Sequence, residues 1–220
     1  MYGLRILCVG YRDWALEIYR RIDLTTHDHL IIDREDKLSR DAIEQFNPDL
    51  ILFYGWSQII PRSITSEFKC LMLHPSPLPY YRGGSPIQNQ IIRNEDTSAV
   101  TIFIMDDGID TGSILAQEEI SLADSLSHVF DRIMEVGTRL TNKILSEACE
   151  PRGQSKTEGS YYSRRNPALS EITGKELDSQ SARFLFNKIR MLQDPYPEPF
   201  YVCSDGRIMR FKVTIESSVD

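Results

Sequence analysis

Two residues, His74 and Asp110, carry the chemistry that this sequence suggests first. His74 ends an apolar run at residues 70–73 that is typical of a buried parallel strand, and three prolines in the next five residues exclude a regular helix or central strand. Asp110 lies in the acidic turn at residues 106–112, which follows a second apolar segment. If both strands end at the same edge of one sheet, His74 and Asp110 face one cleft, as an acid–base pair requires.

The segments around these two residues follow the alternating pattern of an α/β protein. Strands are predicted at residues 4–9, 30–32, 49–54, 70–73, 99–105 and 113–120. Helical spacing of apolar residues separates the first strands, and Asp124 or Ser125 is expected to cap a long amphipathic helix. The predicted fold is therefore α/β, with a Rossmann-like, mainly parallel sheet in an N-terminal domain over residues 1–150.

A second region is predicted after a polar linker that contains Pro151 and Gly153. A helix is expected at residues 179–192, followed by a hairpin at residues 201–215 that turns at Asp205 and Gly206. Residues 151–220 are thus predicted to form a small α+β appendage, shorter than a complete β-barrel.

Composition excludes several classes of protein. The chain has 220 residues, of which 41% are hydrophobic and 26% charged, and its net charge is −7. An acidic chain argues against broad contact with nucleic acid, and no apolar run reaches the roughly 20 residues that span a bilayer. The N-terminus has no signal-peptide core, and the four cysteines are far apart without metal-ligand spacing. We expect free thiols, no metal, no membrane contact and a cytoplasmic location.

A dinucleotide-dependent oxidoreductase is a further possibility for a Rossmann-like opening. The first predicted strand ends at Gly10, but no second or third glycine follows in the spacing that cradles a pyrophosphate. The sequence therefore favours an ordinary connection between strand and helix at this point.

Four motifs together resemble the folate-dependent formyltransferases. They are HPSPLP at residues 74–79, YRGGSPI at 81–87, VTIFIM at 100–105 and DDGIDTGSIL at 106–115. The family pattern has a histidine followed by a serine and a proline, then Arg-Gly, then an Asp-x-Gly-x-Asp-Thr-Gly turn. The order and spacing agree over these motifs, and the chain looks most similar to the sugar-nucleotide N-formyltransferases, which are themselves similar to methionyl-tRNA formyltransferase.

The resemblance implies a reaction and a set of residues. The co-substrate would be 10-formyltetrahydrofolate, with His74 as the acid–base group and Asp110 orienting its imidazole. The residues implied in cofactor binding are Tyr54, Gly55, Trp56, Ile60, Asp106, Asp107 and Gly108. Those implied in substrate binding are Pro75, Ser76, Tyr81, Arg82 and Gly83. No metal is implied.

One position departs from the family pattern. The family usually has an asparagine two residues before the histidine, which donates to the developing oxyanion, and this chain has Met72 there. Loss of one such donor typically costs about 10²–10³ in rate. Asn89, Gln88 and Ser85 are the nearby polar residues that could supply a replacement.

The expected function is transfer of a formyl group to the amine of a nucleotide-linked amino sugar in bacterial surface-glycan synthesis. Acidic composition and the short C-terminal region favour this acceptor over the initiator tRNA that methionyl-tRNA formyltransferase uses. From another class, Met72 leaves open a non-catalytic module that binds folate or sugar. The amino sugar, the nucleotide and the oligomeric state, including a homodimer, are left open.

Overall fold

The computed structural model describes residues 3–212, and a six-stranded sheet organises them in the order β2-β1-β3-β4-β6-β7. The strands are β1 (Arg5–Val9), β2 (Asp28–Ile32), β3 (Leu50–Tyr54), β4 (Cys70–His74), β5 (Arg82–Gly83), β6 (Thr97–Ile104), β7 (Ile114–Ser121), β8 (Tyr161–Tyr162), β9 (Phe200–Val202) and β10 (Ile208–Arg210). The α-helices are α1 (Asp13–Arg21), α2 (Arg40–Phe46), α3 (Arg62–Thr65), α4 (Pro86–Ile92), α5 (Leu126–Ser146), α6 (Gly174–Ser179) and α7 (Ala182–Arg190). Short 3₁₀ turns lie at Glu35–Lys37 and Pro167–Ser170.

The large sheet is mainly parallel, as predicted, but one strand runs against the others. Strands β2, β1, β3 and β4 pair in parallel, whereas β6 is antiparallel to both β4 and β7. In the β4–β6 register, His74 lies opposite Thr101 and Leu71 lies opposite Ile104. Strand β6 therefore does not end at the same edge as His74, and the prediction from strand ends was wrong. Apolar content identifies a buried strand but carries no information about its direction.

Alternating side chains of the strands pack against helices on both faces of the sheet. One apolar cluster joins β1, β3 and β4 to α1, α4 and α5, and a second joins the opposite face of the same strands to α2 and α3. Gly137 in α5 is where the long helix meets the sheet, because an added Cβ would lie 2.7 Å from Ile18 and 2.8 Å from Leu73. Helix α5 is thereby held against the strand that ends at His74.

Serine caps begin α2 and α5, and Ser125 at α5 is one of the two residues predicted to cap that helix. The hydroxyl of Ser125 accepts the backbone N–H of His128 at the start of α5, and that of Ser39 accepts the N–H of Ala42 at the start of α2. Within residues 3–212, no helix has the length and apolar character that crossing a membrane requires.

The C-terminal segment packs onto the large domain. Met191 and Leu192, which follow α7, belong to the same apolar cluster as α1 and α5. Strands β9 and β10 form the predicted hairpin over residues 200–210, and its predicted extension to residues 213–215 lies outside the described residues. Helix α6, which begins with a capping box between Thr173 and Glu176, was not predicted. The domain boundary near residue 150 stays a prediction.

Candidate active site

His74 is buried at the carboxyl end of β4, with 5% of its surface exposed. Its Nε2 lies 2.8 Å from the carbonyl oxygen of Tyr81, and its Nδ1 lies 3.6 Å from Oδ2 of Asp110. A carbonyl oxygen can only accept, so Nε2 carries the hydrogen of this bond. The protonated ring is the form that can donate toward both oxygens at once.

Asp110 reaches His74 because its loop folds back from the end of β6. The residue has a left-handed backbone with φ of 55°, a conformation that aspartate tolerates better than most residues. Its carboxylate is buried, and Oδ2 accepts the backbone N–H of Gly83 at 2.8 Å. The predicted proximity of His74 and Asp110 is therefore observed, although a loop and not a strand end produces it.

The loop at residues 81–84 covers the His74–Asp110 pair, and a later part of the chain holds this loop in place. Strand β5 pairs in parallel with β8, and Arg82 and Gly84 donate backbone N–H bonds to the carbonyls of Ser160 and Tyr162. The ring of Tyr162 stacks on Tyr81 with centroids 5.1 Å apart. The pair thus lies beneath a cover built from two distant segments.

Gln154 completes this cover and was not predicted as a site residue. Its Nε2 donates to the backbone carbonyls of Asp110 and Gly112, at 2.9 and 2.8 Å, and its Oε1 accepts two bonds from the guanidinium of Arg82. One side chain therefore ties the acidic turn to β5. In the sequence Gln154 stands in a polar linker, and no local pattern distinguishes it from a solvated residue.

Met72, at the family's asparagine position, lies among apolar side chains. It packs with Leu78, Phe103 and Met105 in two apolar clusters, one of which also includes Trp56. Position 72 of this chain therefore belongs to an apolar wall two residues before His74.

The three candidate replacement donors have different surroundings. The side-chain amide of Asn89 donates to the carbonyl of Gly84, and the hydroxyl of Ser85 accepts the N–H of Arg165. Gln88 is 2% exposed, and its side chain lies beside the hydroxyl of Tyr196; burial raises the pKa of Tyr196, and a hydrogen bond with Gln88 opposes that rise. All three candidates therefore have a polar neighbour among the described residues.

The residues predicted to bind the cofactor after β3 have different surroundings in the fold. Trp56 and Ile60 belong to the same apolar cluster as Met72, and Nε1 of Trp56 is buried without a partner among the described residues. Gly55 has φ of +61°, and an added Cβ would meet the side chain of Arg12 at 2.8 Å. Glycine is thus required where the chain turns after β3.

Tyr54 is a correction to the predicted cofactor residues. It is completely buried, its hydroxyl bonds that of Thr141 in α5, and its ring stacks on Tyr19 in α1. Because alternate residues of a strand face opposite sides, the side chain of Tyr54 points into the α1–α5 layer and cannot line a pocket with Trp56.

The acidic turn is shaped by its own side chains. Asp106 accepts the backbone N–H of Gly108 and the hydroxyl of Thr111, and an added Cβ at Gly108 would lie 2.0 Å from that hydroxyl. Asp107 is exposed and forms an ion pair with Arg62 at 3.1 Å. Asp106 and Gly108 therefore set the shape of the loop that carries Asp110.

Most residues predicted to bind substrate form hydrogen bonds with other residues of the protein. Ser76 is completely buried and donates to the carbonyl of Tyr80, and its predicted contact with substrate stays a prediction. The hydroxyl of Tyr81 donates to Glu95, whereas its backbone carbonyl faces His74. The carbonyl of Pro75 accepts a bond from the side chain of Gln90.

Arg82 and Gly83 remain suitable for contact with a ligand. The guanidinium of Arg82 bonds only neutral oxygens, from Gln154 and Ser155, so no carboxylate among the described residues compensates its charge. Gly83 has φ of +94°, and its N–H is the donor to Asp110. Both therefore lie at the cover of the His74–Asp110 pair.

The cysteines are free thiols, as expected. Cys8 and Cys70 are buried in the sheet, and burial raises the pKa of each thiol to about 12, so neither is a thiolate at neutral pH. Among residues 3–212, no group of three or more His, Cys, Asp or Glu side chains is placed to hold a metal ion.

Comparison with known proteins identifies the family. The model of the formyl transferase family matches residues 32–147, from β2 through α5, and this region includes both His74 and Asp110. The chain belongs to the formyl transferase family. The resemblance that the four sequence motifs carried is thereby confirmed.

Individual members of the formyl transferase family extend the comparison. A methionyl-tRNA formyltransferase from Clostridioides difficile is 32% identical over 193 residues, which are 83% of this chain and 61% of the relative. The chain thus spans about three fifths of the length of that relative. A solved methionyl-tRNA formyltransferase from Clostridium thermocellum superimposes with a TM-score of 0.83 and 27% identity, over 97% of this chain and all of that one.

Two more distant structures share the fold. A sugar N-formyltransferase from Shewanella sp. has a TM-score of 0.78 and 18% identity, with 98% of this chain and 99% of that chain covered. HypX from Aquifex aeolicus, solved in complex with tetrahydrofolic acid, has a TM-score of 0.74 and 20% identity over 90% of this chain and 36% of that one. This chain therefore shares its Rossmann-like fold with the methionyl-tRNA formyltransferase, the sugar N-formyltransferase and HypX.

Proposed function

We propose that the chain is an N-formyltransferase that moves a formyl group from 10-formyltetrahydrofolate to the amine of a nucleotide-linked amino sugar. The observation that carries the proposal is the buried pair of His74 and Asp110, 3.6 Å apart, at the carboxyl end of β4. In open α/β sheets this edge is where ligands bind. Family membership supplies the class of reaction.

In this proposal His74 moves the proton that the reaction releases. In the neutral ring with its hydrogen on Nδ1, Nε2 would be free to accept once the Tyr81 carbonyl leaves it. It would take the proton of the acceptor amine as that nitrogen bonds to the formyl carbon, and His74 would pass the proton to the donor nitrogen of the folate as its bond to the formyl carbon breaks. Asp110 would hold Nδ1 and favour the charged ring that results. Loop 81–84 must yield its bond to His74 for this exchange, while the N–H of Gly83 keeps the carboxylate in place.

The donor would bind against the apolar wall beside β3 and β4. 10-Formyltetrahydrofolate supplies the transferred carbon when it is bound. Trp56, Ile60 and Met72 offer apolar surface to its ring system, and the buried Nε1–H of Trp56 lacks a protein partner among the described residues, which suits a polar ring atom. Gly55 would allow close approach of the backbone, and the turn of Asp106, Asp107 and Gly108 would lie on the other side.

The charges of the chain support a nucleotide-linked amino sugar as the acceptor. The chain has a net charge of −7, which disfavours a long polyanion such as tRNA, whereas the uncompensated guanidinium of Arg82 at the cover suits one or two phosphates. Pro75 and Gly83 would border the same opening. The proposal includes a cytoplasmic location and leaves a homodimer open.

To test the proposal, the purified protein is incubated with 10-formyltetrahydrofolate and a panel of candidate acceptors. The panel contains several nucleotide-linked amino sugars and initiator methionyl-tRNA, and mass spectrometry detects the formylated product. We expect a formylated sugar nucleotide, and we expect His74→Ala to abolish its formation. The matched control is His128→Ala, since His128 is exposed at the start of α5 and bonds only Ser125.

Methionyl-tRNA formyltransferase is the second candidate, favoured by the relative that is 32% identical. Formylation of the tRNA alone would assign the chain to that function. If no acceptor is formylated while tetrahydrofolate still binds, the chain is a non-catalytic binding module, and the proposal is wrong.

A further inference from the structure

A cavity of about 510 Å³ lies at the junction of α4, the 3₁₀ turn Pro167–Ser170 and α7, apart from the His74–Asp110 pair. It is lined by Ile92, Arg93, Arg165, Ala168, Leu169, Glu171, Thr173, Glu176, Phe184 and Lys188. Nothing in the proposed formyl transfer uses these side chains. The cavity is therefore a second concave site of a size suited to a small molecule.

Two guanidinium groups border this cavity and have no carboxylate partner in the described part of the chain. Arg93 donates from Nη1 to the backbone and side-chain oxygens of Asn89, and Arg165 donates from Nη2 to the carbonyl of Leu169. Nε of Arg165 is buried and has no partner among residues 3–212. An unsatisfied buried donor of a charged group is costly, and an oxyanion that reached it would remove the cost.

The other charges around the cavity leave a positive balance. Lys188 is neutralised by Glu176, whose carboxylate lies 2.7 Å from its Nζ, and the carboxylate of Glu171 is the remaining acid. Three cations and two carboxylates give one net positive charge. Burial, followed by the charge of Arg93, lowers the pKa of Arg165, and Glu176 offsets this only in part. The positive charge of Arg93 therefore acts on Arg165 in addition to its burial.

We propose that this cavity is a binding site for a phosphate-bearing small molecule, with Arg93 and Arg165 holding the phosphate. Guanidinium groups recognise phosphate through paired N–H donors, and two of them suit a doubly charged group. Ile92, Leu169 and Phe184 form the apolar part of the lining, against which the organic part of a phosphate ester packs. The site does not depend on the identity of the formyl acceptor.

Contacts connect this site to the candidate catalytic centre. The guanidinium of Arg93 lies 4.0 Å from the ring centroid of Tyr162, which stacks on Tyr81, whose carbonyl accepts from His74. A phosphate that repositions Arg93 therefore acts on the cover of His74. The phosphate has two possible sources, a nucleoside diphosphate or a free phosphate compound.

Calorimetric titration tests the site with two probes, inorganic pyrophosphate and uridine diphosphate, at low and high salt. We expect both to bind, with weaker binding at high salt. Arg93→Ala and Arg165→Ala should each weaken binding about tenfold or more, since each removes a charge-assisted contact. Arg183→Ala is the matched control, because Arg183 lies on the same helix as Phe184 but pairs with Asp96 outside the cavity. It should change affinity less than twofold.

Two results would overturn the proposal. One is the absence of binding by both probes to the native protein, and the other is equal affinity of the native protein and the two arginine variants. Melting curves establish that the variants are folded, and Arg93 is exposed, so at least that variant should retain the fold. Tighter binding of uridine diphosphate than of pyrophosphate assigns the site to a nucleotide-linked ligand, and equal binding assigns it to free phosphate compounds.

Discussion

Met72→Asn restores the amide that the formyl transferase family usually carries two residues before its histidine, yet we expect it to leave the rate unimproved. The side chain at position 72 packs with Leu78, Phe103 and Met105, whose side chains carry no N–H or O–H donor for an amide. An asparagine here would first have to satisfy its own polar atoms. We therefore expect kcat to stay within about threefold of the native value, against the 10²–10³ that a working oxyanion donor supplies.

The same surroundings set the cost in stability. Complete burial of a methionine side chain contributes about 1.5–3 kcal/mol, and Met72 is partly buried. An unpaired buried amide adds about 1–3 kcal/mol. The free energy of unfolding should fall by about 2 kcal/mol, which corresponds to a decrease of about 4–8 °C in Tm for a chain of this length.

The assay combines a melting curve with single-turnover formyl transfer to the acceptor identified from the panel. Met105→Asn is the matched control, since Met105 shares both apolar clusters with Met72 but does not occupy the family's donor position. If both variants lose the same stability and keep the native kcat, position 72 has an apolar packing role and does not supply an oxyanion donor. A rise of tenfold or more in kcat for Met72→Asn alone would refute the reasoning.

Three further predictions follow from the cover and the C-terminal segment. Asp110→Asn, which keeps the backbone conformation and an acceptor for Gly83, should lower kcat by about 10²–10⁴ with little change in Tm. Gly83→Ala should destabilise the protein by more than about 1 kcal/mol, since φ is +94° and the added Cβ would lie 2.3 Å from a carbonyl of β8. Burial raises the pKa of Glu176, but the bonds from Lys188 and Thr173 outweigh it and lower the pKa. Native protein should therefore exceed Glu176→Gln in stability at pH 7, and this difference should vanish as pH falls below about 4.3 and through the lowered pKa.

Each of these has its own control. An unchanged kcat in Asp110→Asn would remove Asp110 from the mechanism. Gly206→Ala has a similarly positive φ of +83° but nothing within 4 Å of the added Cβ, so it separates backbone strain from the clash at Gly83. For Glu176→Gln, urea unfolding of the native protein and the variant at several pH values measures the difference in their free energies of unfolding. A difference that grows at acid pH would contradict the predicted direction.

Much of the sheet was predictable because its signals are local. The apolar run that begins at Cys70 and the prolines after His74 define β4 to within a residue. Ser125, the cap of α5, is one of the two residues predicted for that role from their place before an amphipathic stretch. The inward direction of Tyr54 was also available, since it shares a face of β3 with Leu50 and Leu52. The family motif outweighed that alternation and led to the wrong assignment.

The cover of the site was not predictable, because its contacts join residues far apart in the chain. Strands β5 and β8 have two residues each and leave no periodic pattern, and Gln154 bonds Arg82 across 72 positions. The antiparallel direction of β6 likewise depends on how the connection through α4 packs. Composition and spacing carry no information about such pairings, so the closeness of His74 and Asp110 could be expected only from the resemblance.

The pairing of β5 with β8 also bears on how such proteins diverge. The segment that holds the loop over His74 comes after the point where the sequence changes from domain to linker. Recombination at that point would separate Tyr81 and Arg82 from Ser160 and Gln154, which contact them. We therefore expect an exchange of C-terminal modules between relatives to preserve these contacts only when the crossover falls after β8.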